Sequence, residues 1–124
     1  IGGNCSCWQN GCTTIGQNKV AQPSITEIPI AMGETVVMMT EGVHNAGKAF
    51  GKGLEIPVYL QAIAEETNEL NARMIADHIL HRAIELDQGS PLDEMTVVVL
   101  RVCEAIQPVH RRIMFAVPIP KYDE

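Results

Sequence analysis

Two acidic residues stand at matching ends of two apolar runs. Glu41 follows the run 34–40 within Thr40-Glu41-Gly42, and Asp93 opens Asp93-Glu94-Met95-Thr96, which leads into a second run over 95–103. If the two runs are neighbouring antiparallel strands, the end of the first and the start of the second share one edge of the sheet, and the two carboxylates meet there. Paired carboxylates beside glycine-rich chain suit a hard cation such as Mg²⁺ or Mn²⁺, which takes oxygen ligands and keeps several of its waters. The same pattern also describes a solvated turn. Gly42 and His44 follow directly in the glycine-rich segment and make it a candidate site loop. His44 is the histidine best placed for phosphate or proton handling, although an ordinary exposed residue of a flexible loop is the commoner explanation.

The remaining chemistry-bearing residues invite less. Cys5, Cys7 and Cys12 lie close together, but structural zinc sites use Cys-x-x-Cys pairs and no second pair follows, so they read as small thiols. His78 and His81 flank the apolar stripe of a helix and are given no role. The six methionines are spread over several elements and read as packing residues.

The elements that must position Glu41 and Asp93 follow from periodicity and punctuation. Residues 4–8 and 12–15 read as a hairpin around Asn10-Gly11. Residues 24–30, which contain Pro29, read as an edge strand or strand end. Residues 34–40 are apolar on both faces, the pattern of a covered central strand. Four glycines, Gly42, Gly47, Gly51 and Gly53, predict a flexible loop over 41–56. Pro57 suits a first helical turn, with Leu60, Ile63, Ala64 and Thr67 at helical spacing behind it. Asn68 can cap a second helix, whose apolar stripe is Ala72, Ile75, Ala76, Ile79, Ala83 and Leu86 and which Gly89 and Pro91 end. Strands over 95–103 and 109–117 complete the order. Strands grouped on either side of a helix pair, without βαβ alternation, predict an α+β fold in which antiparallel sheet is covered by the two helices.

Composition bounds the function. A chain of 124 residues is one domain, and 46% hydrophobic against 19% charged residues supplies a core. A net charge of −6 without a basic cluster argues against nucleic acid as a partner. No apolar stretch approaches the roughly 20 residues of a membrane span. The start at Ile1 has no features of a secretory leader and suggests a fragment, and the irregular cysteine spacing fits reduced thiols in a cytoplasmic protein.

The stretch from Glu34 through Thr40-Glu41-Gly42-Val43, then a helical segment, then Ser90-Pro91-Leu92-Asp93-Glu94-Met95-Thr96 and a run of valines resembles the C-terminal half of the metal-dependent serine/threonine protein phosphatases, the PPM family, in its stage II sporulation protein E branch. More loosely, Gly3-Asn4-Cys5-Ser6 and the Asn10-Gly11 turn are similar to that family's strand and hairpin further upstream. The resemblance implies an α-β-β-α sandwich and a site with two Mg²⁺ or Mn²⁺ ions that hydrolyses phosphoserine or phosphothreonine in phosphoproteins. It also implies that Asp93 and Glu41 are metal ligands, with Glu41 standing where the branch has Asp. The family's other ligands lie upstream of the hairpin, so this chain would hold half a site. The expected function is the C-terminal portion of a protein phosphatase domain; the alternative is a catalytically silent module that binds a partner. An uncovered apolar sheet face, Val36, Met38, Val98 and Leu100 or their opposites, predicts a homo-oligomer or association with the missing N-terminal half.

Overall fold

The computed structural model describes residues 4–7, 11, 16–20, 22–66 and 70–104. Two valine-rich segments form the sheet: β1 is Thr35–Met39 and β2 is Val97–Arg101. Valine is stiff at χ1 and packs well on a pleated surface, which favours strand here. The two pair antiparallel, with Val37 opposite Val99 and Met39 opposite Val97. Beyond one end the pairing continues through Gly33 N–H to the Val102 carbonyl and Val102 N–H to the Glu34 carbonyl, both at 2.9 Å. Beyond the other, Thr40 N–H donates to the Thr96 carbonyl at 3.0 Å.

The connection between the strands carries the helices. After β1 come a short helix α1, Glu41–His44, and a single 3₁₀ turn, Lys48–Phe50. They are followed by α2, Ile56–Glu66, and α3, Ala72–Leu86. Asn71 caps α3, its side-chain oxygen accepting the Met74 N–H at 2.9 Å. The other end closes with Gln88 N–H bonded to the Glu85 carbonyl and Gly89 N–H to the Ile84 carbonyl, while Gln88 and Gly89 both take positive φ. This is the crossed pair of bonds that terminates many helices.

Ile75, Ile79, Ala83 and Leu86 form the buried stripe of α3, and Ile79 and Ala83 are wholly inaccessible. They join Val43, Ala46 and Leu54 in one core, on which Val37, Met39, Val97 and Val99 of the sheet and Ile56, Tyr59 and Leu60 of α2 pack. Burying each large aliphatic side chain is worth about 1.5–3 kcal/mol, so this cluster is the chief source of cohesion between helices and sheet.

The mixed α/β architecture with an antiparallel sheet is the predicted one, and several elements differ in detail. Residues 34–40 were expected to be covered on both faces. In the structure only the Val37 and Met39 side packs on the core, whereas Met38, Val98 and Leu100 remain 48%, 45% and 54% exposed. Among the described residues the helices lie on one side alone, and none packs on the second face of the pair. Segment 41–56 is not the flexible loop its glycines suggest. It holds α1 and the 3₁₀ turn, and Gly42, Val43, Ala46, Gly47 and Leu54 within it are buried. Residues 24–30 form no strand; Pro23 and Pro29 lack the N–H groups a ladder needs. Residues 4–7 are also outside any strand, whereas 8–10, 12–15 and the predicted strand 109–117 lie outside the described residues. So does Asn68, and the cap that α3 uses is Asn71. Among the described residues no helix is long and apolar enough to cross a membrane.

Candidate metal centre

The end of β1 is fastened to the approach to β2 by Thr40. Its hydroxyl donates to the Glu94 carbonyl at 2.9 Å and accepts the Thr96 N–H at 2.9 Å, adding two bonds to the backbone bond between Thr40 and Thr96. Gly42 then packs directly on the opposing chain. A Cβ there would collide with the Glu94 carbonyl oxygen and would lie 3.2 Å from the carbonyl carbon of Asp93. Only glycine permits this approach. Antiparallel pairing and the missing side chain together bring Glu41-Gly42 against Asp93-Glu94, the juxtaposition expected from the two apolar runs.

Both carboxylates are exposed, and each accepts one described hydrogen bond. Glu41 Oε1 accepts from Asn45 Nδ2 at 3.1 Å, one helical turn on. Asp93 Oδ1 accepts the Glu94 N–H at 2.8 Å. Glu41 Oε2 and Asp93 Oδ2 have no partner among the described residues. An all-oxygen donor set of this kind fits a hard divalent cation that retains waters. It is a partial set, since no group of three or more His, Cys, Asp or Glu placed to hold a metal occurs among the described residues.

Beside Asp93 opens a cleft of about 400 Å³. Gly42, Asn45, Lys48 and Ala49 form one wall, and Asp87, Leu92 and Asp93 the other. Glu41 is connected to it through Asn45. Asp87, 4% exposed, is the buried charged residue of this region. Its Oδ1 accepts the Gly47 N–H at 2.8 Å and its Oδ2 accepts the Leu92 N–H at 3.2 Å. One carboxylate thereby ties both walls of the cleft together.

The His44 side chain is exposed, makes no hydrogen bond or ion pair among the described residues, and does not line the cleft; only its backbone N–H is engaged, donating to the Thr40 carbonyl at 3.2 Å. Gly42 lines it and contributes the close contact described above. Sequence reasoning missed Thr40, Asn45, Lys48 and Asp87. Asp87 alone left a signal: an acid at the C-terminal end of a helix opposes the helix dipole, so its presence there calls for a tertiary partner. His78 and His81 lie in a separate groove between α2 and α3, where Tyr59 Oη donates to the His78 carbonyl at 3.2 Å. Cys5, Cys7 and Cys103 are exposed free thiols, and Cys12 lies outside the described residues.

Residues 4–103 match the model of the family described as stage II sporulation protein E (SpoIIE). Among solved structures, the chain is similar to the phosphatase domain of the cell fate determinant SpoIIE from Bacillus subtilis. The two share 24% identity at a TM-score of 0.48, over 64% of this chain and 36% of that one. The Mn-presoaked form of that domain is similar at 22% identity and a TM-score of 0.49, over 64% of this chain and 35% of that one. The chain thus spans about a third of the length of these structures. No curated protein matches it.

Proposed function

The chain belongs to the stage II sporulation protein E family, and from that premise we infer that it is the C-terminal part of a PPM-type phosphatase domain acting on phosphoserine or phosphothreonine in proteins with Mg²⁺ or Mn²⁺. The observation that carries this reading is the contact of Gly42 with Asp93-Glu94 across the paired strands, which sets Glu41 and Asp93 at one sheet edge beside a cleft.

In this reading Glu41 and Asp93 hold the metal through carboxylate oxygens. A bound divalent ion supplies Lewis acidity and a water of lowered pKa. The chain's own residues do the positioning. Asn45 steadies the Glu41 carboxylate, Thr40 locks the strand ends, and Asp87 fixes the separation of the cleft walls. Glu41 is one methylene longer than the Asp the family resemblance leads one to expect, and no group of three or more His, Cys, Asp or Glu placed to hold a metal occurs among the described residues. These two observations favour the second reading, a catalytically silent module that binds a partner.

Turnover of p-nitrophenyl phosphate with Mn²⁺ by the full-length protein separates the two. Asp93→Asn keeps the shape and removes the charge, so turnover and Mn²⁺ affinity should both fall roughly tenfold or more, at least the loss seen when a residue supporting a ligand is changed. Glu41→Asp should preserve or raise activity, since Mg²⁺-type sites tolerate little error in distance. Melting temperature without metal should barely move in either variant. Mn²⁺-dependent turnover unaltered by Asp93→Asn would reduce the carboxylate pair to a solvated sheet edge; a full-length protein with no such turnover would favour the silent module.

A further inference from the structure

Among the described residues that line the cleft, Lys48 is the one cation. Its place is built rather than incidental. Gly47, directly before it, takes φ 77°, and a Cβ at that position would collide with the Lys52 carbonyl oxygen. The Gly47 N–H is gripped by the buried Asp87 carboxylate at 2.8 Å, so the start of the 3₁₀ turn is anchored to the opposite wall. Lys48 Nζ then donates to Asn45 Oδ1 at 2.7 Å, and Asn45 Nδ2 donates to Glu41 Oε1 at 3.1 Å. The amide thus spaces the ammonium from the carboxylate rather than letting the two pair. Lys48 forms no ion pair among the described residues, where the two pairs present are Arg73 with Asp77 and Arg82 with Glu85. Of its three N–H donors, one is engaged by a neutral partner and two remain.

A phosphomonoester carries a charge of about −1.5 to −2 at neutral pH and three strong acceptor oxygens. Glu41 and Asp93 alone would repel it. A tethered ammonium with spare donors supplies the opposite charge on the wall of the same cleft, and lysine binds phosphate well as a point charge. We propose that Lys48 is the phosphate-binding residue of this cleft, its ammonium donating to a non-bridging phosphoryl oxygen while Asn45 fixes its distance from Glu41. The proposal rests on the reading of the site as a phosphatase centre for its substrate, but phosphate binding tests it separately.

The experiment compares wild-type full-length protein with Lys48→Met and Lys48→Arg, in the presence of Mn²⁺. Inorganic phosphate binding is measured by calorimetry, p-nitrophenyl phosphate turnover by steady-state kinetics, and Mn²⁺ affinity by electron paramagnetic resonance. Loss of a charge-assisted hydrogen bond predicts that Lys48→Met weakens phosphate binding roughly ten- to a hundredfold and raises KM by a similar factor, with a smaller change in kcat. Mn²⁺ affinity should stay the same, and Lys48→Arg should retain most of the phosphate affinity.

Unchanged phosphate affinity in Lys48→Met overturns the proposal. So does a gain in Mn²⁺ affinity without a loss of phosphate affinity, which would mean that Lys48 only offsets the charge of the carboxylates. Equal weakening by Lys48→Arg also overturns it, because packing rather than charge would then be at work. Phosphate binding that depends on Lys48 in a protein without Mn²⁺-dependent turnover upholds the proposal and removes the catalytic reading. Turnover that depends on Asp93 but phosphate affinity indifferent to Lys48 does the reverse.

Discussion

Asp87 shows how one side chain can govern a site it need not enter. Its carboxylate is buried, and each oxygen takes a backbone N–H from a different wall of the cleft. Removing it leaves the Gly47 N–H buried without a partner and the Leu92 N–H partly so. Each such orphan costs on the order of 1–3 kcal/mol. Asp87→Ala should therefore destabilise the fold by about 2–4 kcal/mol in urea unfolding. Asp87→Asn, which keeps one acceptor oxygen, should lose less, and a neutral result for Asp87→Ala would show that the walls hold without the tether. The contrast with Glu41 and Asp93 explains what a sequence discloses at this scale. Those two could be found because each sits at the boundary of an apolar run, and boundaries are visible in the pattern. Asp87 meets Gly47 across a separation of 40 residues and Thr40 meets Glu94 across 54, and neither pairing leaves a local trace. Lys48 left none either, because its significance lies wholly in what faces it.

At the level of elements, the stripe of α3 and the valine runs were legible because burial imposes a period on them. Glycines in 41–56 were harder to interpret. They mark positions of special backbone geometry, and that geometry can serve compact turns as readily as mobile loops. Gly47 and Gly51, both with left-handed φ, bracket the 3₁₀ turn, while Gly42 and Gly47 are buried against opposing backbone. The seam between α2 and α3 offers a test of its own. Tyr59 packs against the core, and its hydroxyl bonds to the His78 carbonyl. Burial raises the Tyr59 pKa above its ordinary 10.0; Arg82 partly offsets this, and Glu85 and Glu66 add to it. A raised pKa means that folding favours the neutral phenol. That contribution is complete below the unfolded value near 10 and is lost as pH rises through the folded value. Melting temperatures taken from about pH 8 to 11 should fall more steeply above pH 10 for the wild type than for Tyr59→Phe. Parallel curves would show that the phenol is not held neutral by the fold.

For the molecule as a whole, the decisive feature is that, among the described residues, helices cover the sheet on one face only. A two-stranded pair is marginal by itself, and this one relies on the helices beneath Val37, Met39, Val97 and Val99. Its other face presents Met38, Val98 and Leu100 to solvent on strands whose outer edges have no strand partner among the described residues. Large exposed apolar patches and open strand edges both favour association. Single hydropathy patterns could show that these strands are apolar on both sides, but the number of layers that cover them depends on chain far away, which is why a covered strand was the natural expectation. We expect the 124-residue chain to self-associate through this face at tens of micromolar, on the order of ordinary interface strengths. Sedimentation velocity should show species larger than a monomer, and Val98→Lys combined with Leu100→Lys should shift the distribution to the monomer. Because both side chains lie away from the Ile79 core, amide exchange at Ile79 should remain slow in the double variant. A wild-type chain that sediments as a single well-folded monomer would refute this, and the exposed face would then be a stable surface that needs no cover.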